Sequence, residues 1–384
     1  MLSSLTLKNF KSHRETTLEL GRLNVLVGPN GAGKTSVLQA VELLSQLLES
    51  GEAPTFIERL VHAGARSTEV QVAFTPSGEP RPVSNAPRKQ QSSEARLRVS
   101  LPGGEASAQL GDGDEVQFSL SHHDPTLKAL RASFDVKFLR LQGDRVAEPP
   151  STLASLQGSK DSVWFGGGDD GRHTANILAS LKLDADETFD RIQMGLRALV
   201  PYFERVRLKQ SVTVQLVKED GTPIDLEAAG VHLGELTIRR QLVPGYALLF
   251  DFKNAKGLEA HLVSEGTLVM LALLTAIASS SGPKIVLIDD LGLALHPTAQ
   301  LELVRQLRAL LEREPELQII ATTHSPYILD RLEPEEVFVC FPGAEGTVVR
   351  KLSEHPAAAR AKESMTTGEL WTYEPEDWVA RAPS

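Results

Sequence analysis

Near the start of the chain, Gly28-Pro29-Asn30-Gly31-Ala32-Gly33-Lys34-Thr35 carries the residue types needed to wrap a phosphate chain. Glycine lets the backbone come close, so that successive N–H groups from Asn30 through Gly31, Ala32, Gly33, Lys34, Thr35 and Ser36 can converge on anionic oxygens. Lys34 can reach the β and γ phosphates of a nucleoside triphosphate, and the Thr35 hydroxyl can bind Mg²⁺. The plainer alternative is a glycine turn before a helix, and the flanking strand and helix patterns argue against it.

Further along, Lys284-Ile285-Val286-Leu287-Ile288-Asp289-Asp290 reads as a buried strand ending in two carboxylates. Asp289 is placed to hold Mg²⁺, and Asp290 stands where a base polarises an attacking water. Ser264-Glu265-Gly266-Thr267 offers a hydroxyl and open N–H groups at a helix start, an arrangement that suits an anion and equally suits ordinary capping. His324 follows the apolar run Ile319-Ile320-Ala321-Thr322, within reach of a γ-phosphate or the water attacking it. Gln142 ends the run Phe138-Leu139-Arg140-Leu141 and offers a carbonyl to the Mg²⁺ shell. Taken singly, a loop histidine and a polar strand end explain these two as well.

The elements that must position these groups are legible in outline. Leu2, Leu5 and Leu7 alternate with polar residues as in a strand, a second run follows Asn9-Phe10-Lys11-Ser12, and a further strand is predicted over Leu23-Asn24-Val25-Leu26-Val27. Val37, Leu38, Val41, Leu44 and Leu48 recur at helical spacing, so the glycine loop opens a helix running to about Glu49. Short alternating runs between Ser67 and about Leu120 predict an antiparallel sheet, with a mobile loop from Pro76 to Glu94. One helix is predicted from Thr174 to about Val200, stopped by Pro201, and strands resume at Val212. From Gly266 onward helices and strands alternate in the α/β manner.

Composition narrows the function classes. The 384 residues are 41% hydrophobic and 23% charged, as in an ordinary globular protein with a sizeable core. A net charge of -10 disfavours a generic polyanion-binding surface, although basic patches occur at Lys128 to Arg145, Arg205 to Lys209 and Arg239-Arg240. Such clusters are first read as solvated faces. No apolar run approaches the roughly 18 residues that span a bilayer and no signal peptide opens the chain, so a cytoplasmic protein is expected. The single cysteine, Cys340, lies in an apolar run and reads as a buried thiol.

In this order the motifs resemble the ATPase head of the ABC superfamily: Gly28 to Ser36 is similar to its Walker A, Gln142 to its Q-loop, Ser264 to Thr267 to its signature, Asp289-Asp290 to its Walker B and His324 to its switch histidine. Asn9-Phe10-Lys11-Ser12, Gln142-Gly143, Leu295-His296-Pro297 and Thr323-His324-Ser325-Pro326 resemble the RecF, OLD and SMC branch in particular. The resemblance implies an α/β P-loop head with a mixed central sheet, an antiparallel β subdomain and a helical lobe. Within one head spanning 1–384, it implies an N-terminal lobe over 1–150, a helical insertion over 151–210 in place of a coiled coil, a C-terminal lobe over 211–335 and a short extension over 336–384.

It further implies ATP and Mg²⁺ as cofactors, with Asp290 and His324 catalytic and Thr35, Gln142 and Asp289 around the metal. ATP would be contacted by Asn30 through Ser36, by Gln142 and, from the other subunit of a head-to-head homodimer, by Ser264 and Gly266. The expected activity is slow ATP hydrolysis driving a dimerisation switch in DNA repair, genome maintenance or antiphage defence, with a separately encoded nuclease or toxin as effector, DNA as a candidate ligand and no membrane partner. The alternative is a non-hydrolysing scaffold that controls such a partner. Asp290 stands where the family usually has Glu, and Leu291-Gly292 where this branch commonly has Pro-Glu. The short tail after His324 leaves little room for an acidic metal-binding domain, so no intrinsic nuclease is expected.

Overall fold

The computed structural model describes residues 1–50, 60–74, 95–101, 105–110, 116–119, 134–147, 170–217, 239–278, 284–361, 364–373 and 376–380. The predicted loop from Pro76 to Glu94 lies outside them, as does the Lys128 end of the first basic patch. In chain order the elements are β1 (Leu2–Phe10), β2 (His13–Glu19), β3 (Leu23–Val27), α1 (Lys34–Ser50), β4 (Thr68–Phe74), β5 (Ala95–Leu101), β6 (Glu105–Leu110), β7 (Val116–Ser119), β8 (Val136–Leu139) and α2 (Gly143–Ala147). There follow α3 (Thr174–Asp184), α4 (Asp186–Leu199), β9 (Phe203–Val217), β10 (Arg239–Phe252), β11 (Ala255–Glu259), α5 (Glu265–Ala278) and β12 (Lys284–Ile288). The chain continues through α6 (Pro297–Arg313), β13 (Leu317–Thr322), α7 (Pro326–Leu329), β14 (Val337–Pro342), β15 (Thr347–Lys351) and α8 (Thr367–Tyr373).

The chain forms two compact units, the first comprising Met1–Phe138, Gly282–Leu293 and Leu303–Ser384, the second Leu139–Ser281 and Ala294–Glu302. In the first, a six-stranded sheet has the order β15-β14-β3-β13-β12-β8. β12, β13, β3 and β14 run parallel and β15 is antiparallel to β14, which makes the sheet mixed. Every residue of β3 and β13 is buried, and such largely apolar runs are what a covered parallel sheet requires. Val37, Leu38, Val41, Leu44 and Leu48 of α1 are buried as their spacing predicts. Each such side chain contributes on the order of 1.5–3 kcal/mol. A second sheet, β2-β1-β4-β5-β6-β7, is antiparallel at each register pair, as the alternation between Ser67 and Leu120 predicts.

In the second unit, α5 is apolar nearly all round and buries a face of Leu268, Met270, Leu271, Leu273 and Leu274, and α3 and α4 pack against it. A three-stranded antiparallel sheet, β11-β10-β9, completes the unit. The single helix predicted from Thr174 to Val200 is two helices. Ala185, at φ -149°, leaves helical geometry, and its N–H closes the first helix on Leu181. The flanking Asp184 and Asp186 are weak helix formers, and Asp is favourable in the first turn of the helix that follows. Of the basic segments, Arg205 and Arg207 both bind the buried Asp251 carboxylate, at 2.8 and 2.9 Å. Arg239 pairs with Val217 in the register that pairs Arg205 with Asp251, so the two arginines lie at opposite ends of the β9–β10 pair.

Candidate functional site

The glycine loop leaves β3 in the middle of the parallel strands and turns into α1. Gly28 has φ +136°, and a Cβ there would lie 2.0 Å from the Cys340 carbonyl oxygen on β14, so only glycine fits. Gly33, at φ +87°, is equally enclosed, with Ser12 Oγ 2.5 Å from where its Cβ would be. Lys34 opens α1, and its ammonium group donates to the carbonyls of Gly28 and Pro29, both at 2.9 Å. Burial lowers the Lys34 pKa, opposed by Cys340, Asp290, Glu376 and Asp289 nearby. The Cys340 thiol is fully buried and its pKa is pushed up to about 12 by desolvation, in keeping with a structural role.

Thr35 Oγ1 donates to Asp289 Oδ1 at 3.1 Å, although the two residues are 254 positions apart. The parallel alignment of β3, β13 and β12 delivers both to one end of the sheet. These are hard oxygen donors of the kind Mg²⁺ takes alongside phosphate and water, so the pair fits that ion. Among the described residues no three His, Cys, Asp or Glu side chains converge on a metal position. Asp290 is exposed and sits at φ +57°, a conformation that Asp tolerates better than most residues. His324 follows β13 and is exposed beside Thr323, whose hydroxyl donates to the Leu291 carbonyl at 2.8 Å.

Gln142, Ser264 and Gly266 belong to the second unit. The Gln142 carbonyl accepts the Val146 N–H at 3.1 Å, which starts α2, while its side chain is exposed. Ser264 Oγ and Thr267 Oγ1 are 2.8 Å apart at the start of α5. A Cβ on Gly143 would lie 2.5 Å from Glu265 Cγ, so the segment after Gln142 packs directly against the one after Ser264. On Gly266 a Cβ would meet the Ala294 carbonyl at 2.7 Å, close to Leu295-His296-Pro297. The motifs read separately along the sequence thus form two groups: Lys34, Thr35, Asp289, Asp290 and His324 in the first unit, Gln142, Ser264 and Gly266 in the second.

Two residues of this site escape the sequence reading. Thr322 ends β13 with its hydroxyl 2.7 Å from Asp289 Oδ1 and 2.8 Å from the Asp290 N–H. Its signal is a lone hydroxyl closing an apolar run. His13, wholly buried, lies 3.0 Å from the Gly33 carbonyl. Its signal is a histidine at an inward position of a strand.

The family model described as "AAA domain, putative AbiEii toxin, Type IV TA system" matches residues 23–330. The chain belongs to this AAA family. The chain is similar to the OLD nuclease of Thermus scotoductus, 50% identical over 44 residues, which cover 12% of this chain and 8% of that protein. It is 40% identical over 111 residues to the DNA replication and repair protein RecF of Caulobacter vibrioides, 27% of each chain. It is 36% identical over 77 residues to the DNA double-strand break repair Rad50 ATPase of Methanopyrus kandleri, 19% of this chain and 8% of that one. The AAA-family chain thus matches a minor share of each relative's length. The fold is that of an SMC head: the crystal structure of the SmcHead bound to the C-winged helix domain of ScpA aligns with a TM-score of 0.55 and 18% identity, over 93% of this chain and 99% of that one. These matches support an ABC-type ATPase of the RecF, OLD and SMC class, with relatives named for DNA repair. No helix among the described residues is long and apolar enough to cross a membrane.

Proposed function

We propose that the chain binds and slowly hydrolyses ATP, and that ATP-driven head-to-head pairing of two copies acts as a switch in DNA repair, genome maintenance or antiphage defence. The observation that carries this reading is the Thr35–Asp289 hydrogen bond beside Lys34, because it joins a phosphate loop to a metal-binding carboxylate across most of the sequence. Backbone N–H groups from Asn30 to Ser36 and the Lys34 ammonium would hold the phosphates, and Thr35 and Asp289 would hold Mg²⁺. The ion, when bound, neutralises charge on the phosphate oxygens. Asp290 orients or deprotonates the attacking water, and His324 donates to the γ-phosphate. Ser264 and Gly266 at the start of α5 close over the nucleotide of the second copy.

The division of labour proposed is one head spanning 1–384, with lobes over 1–150 and 211–335, a helical insertion over 151–210 and an extension over 336–384. A separately encoded nuclease or toxin is the proposed effector, and DNA a proposed ligand, on the strength of relatives named for DNA repair. The site favours the cytoplasm, where ATP is abundant. A second reading, a nucleotide-bound scaffold that hydrolyses negligibly and holds such an effector in check, is favoured by Asp290 itself, whose carboxylate is one methylene shorter than that of glutamate.

Light scattering with and without ATP and Mg²⁺, together with phosphate release, tests both readings. ATP-dependent doubling of mass with slow release supports the switch. Doubling without release supports the scaffold, and no nucleotide binding overturns both.

A further inference from the structure

The residue before Lys34 is braced from outside the loop. His13 opens β2, directly after the turn that joins it to β1, and its ring is completely buried. Nε2 lies 3.0 Å from the Gly33 carbonyl and Nδ1 lies 3.0 Å from Thr16 Oγ1. A carbonyl oxygen only accepts, so Nε2 carries the proton and donates, and Nδ1 of the neutral ring accepts the Thr16 hydroxyl. Burial lowers the ring's pKa and keeps it neutral, although its hydrogen bond to Gly33 acts in the opposite direction. The enclosure around Gly33 is completed by Ser12 and by Thr347 of β15, whose hydroxyl donates to Ser12 Oγ at 2.8 Å and whose N–H donates to the Ser12 carbonyl at 2.7 Å. The turn carrying His13 is itself fastened, since the Lys11 N–H donates to the Leu60 carbonyl at 2.7 Å and the His62 N–H to the Asn9 carbonyl at 2.8 Å.

In a planar trans peptide the carbonyl of one residue and the N–H of the next point in opposite directions. Turning the Gly33 carbonyl toward His13 therefore turns the Lys34 N–H away from it, out of the N-terminal end of α1. The same carbonyl accepts the Ser36 N–H at 3.0 Å, so this peptide is also the first link of α1.

We propose that His13 is a positioning residue of the nucleotide site: its Nε2–H fixes the Gly33–Lys34 peptide so that the Lys34 N–H is aimed at a nucleotide phosphate before the nucleotide arrives. The proposal rests on the ATP-binding reading above and adds a residue outside the loop that sets its affinity. The His13 ring is completely buried and acts through Gly33.

The test uses two amides of similar polarity in the full chain. In His13→Gln the side-chain nitrogen falls near the position of Nε2 and can still donate to Gly33. In His13→Asn it falls near Nδ1 and cannot reach. Steady-state ATP hydrolysis with Mg²⁺, nucleotide titration and thermal melting without nucleotide are measured for wild type and both variants. Losing one hydrogen bond that preorganises the loop raises KM and Kd about tenfold in His13→Asn with kcat within about threefold of wild type, while His13→Gln stays within about threefold in every constant. The two variants melt within a few degrees of each other. Equal affinity of His13→Asn and wild type overturns the proposal, as does equal weakening of both variants, which makes the ring's packing rather than its donor the cause. If the wild type itself binds no ATP, the nucleotide reading fails first and this outcome is distinguishable from the other two.

Discussion

Thr322 donates its hydroxyl hydrogen to Asp289 Oδ1 at 2.7 Å, from a strand that runs beside the one Asp289 terminates. Thr322 Oγ1 in turn accepts the Asp290 N–H at 2.8 Å, so one threonine sets the rotamer of the first carboxylate and the backbone of the second. Replacing Thr322 with Val keeps the shape but removes both bonds and leaves the Asp290 N–H without that partner. Such losses cost about 1–3 kcal/mol. Phosphate release should fall about tenfold and need more Mg²⁺ for half-maximal rate, which a Mg²⁺ titration of the variant measures. An unchanged Mg²⁺ requirement would show that Asp289 is oriented without Thr322.

Lys34→Ala should abolish tight ATP binding while the loop persists, because Gly28, Gly31 and Gly33 keep their positive φ without the lysine. Nucleotide titration of the folded variant is the measurement. Wild-type affinity would reduce the glycine loop to a turn.

Asp290 sits at φ +57°, where Asn is as well tolerated as Asp. Asp290→Asn should therefore fold normally, bind ATP, pair and fail to hydrolyse, giving a long-lived dimer in light scattering. Asp290→Glu restores the longer arm yet places a residue without Asp's tolerance in left-handed geometry, at a cost of roughly 1 kcal/mol. It should melt a few degrees lower and release phosphate at least as fast as wild type. Wild-type turnover by the Asn variant would remove Asp290 from catalysis.

Asp251 gives a pH dependence with a definite sign. The Arg205 guanidinium, the Gly257 N–H and Arg207 hold its carboxyl well below the usual range. A carboxyl depressed in the folded state stabilises the fold above its unfolded value of about 3.9, and that contribution is lost as pH falls toward the folded value. Asp251→Asn should accordingly lower the denaturation midpoint at pH 7 and lower it less at pH 3, where part of the wild-type contribution is already lost. Urea denaturation at the two pH values decides this, and an equal difference at both would assign the effect to packing.

The site was legible in the sequence wherever its chemistry is local. The glycine loop needs Gly28 and Gly33 within one turn of Lys34 and Thr35, and a strand rich in Val and Leu before it, all within a few residues of one another. Asp289 and Asp290 end an apolar strand and are found the same way. Thr322 and His13 were not legible, because their partners lie 33 and 20 positions away and are fixed by strand register, which a single sequence does not print. The break at Ala185 was missed because apolar residues continue across it at helical spacing, and only local geometry separates the two helices. That Gln142 and Ser264 share a unit with Leu295 follows from how the chain returns on itself, not from any motif.

β3 lies between β14 and β13, which are made more than two hundred residues later, and its backbone has no other neighbours in the sheet. On a ribosome, the glycine loop therefore emerges long before the strands that hold it exist. Until residues 317–342 have been synthesised, Leu23–Val27 is an apolar segment with two open edges, the kind of segment that chaperones shield and that pairs wrongly when left alone. Sequence separations of this size slow folding. On the proposed reading the nucleotide site is thus completed only after β13 and β14 are made, and a truncated product ending before β13 would lack the strands that hold its glycine loop.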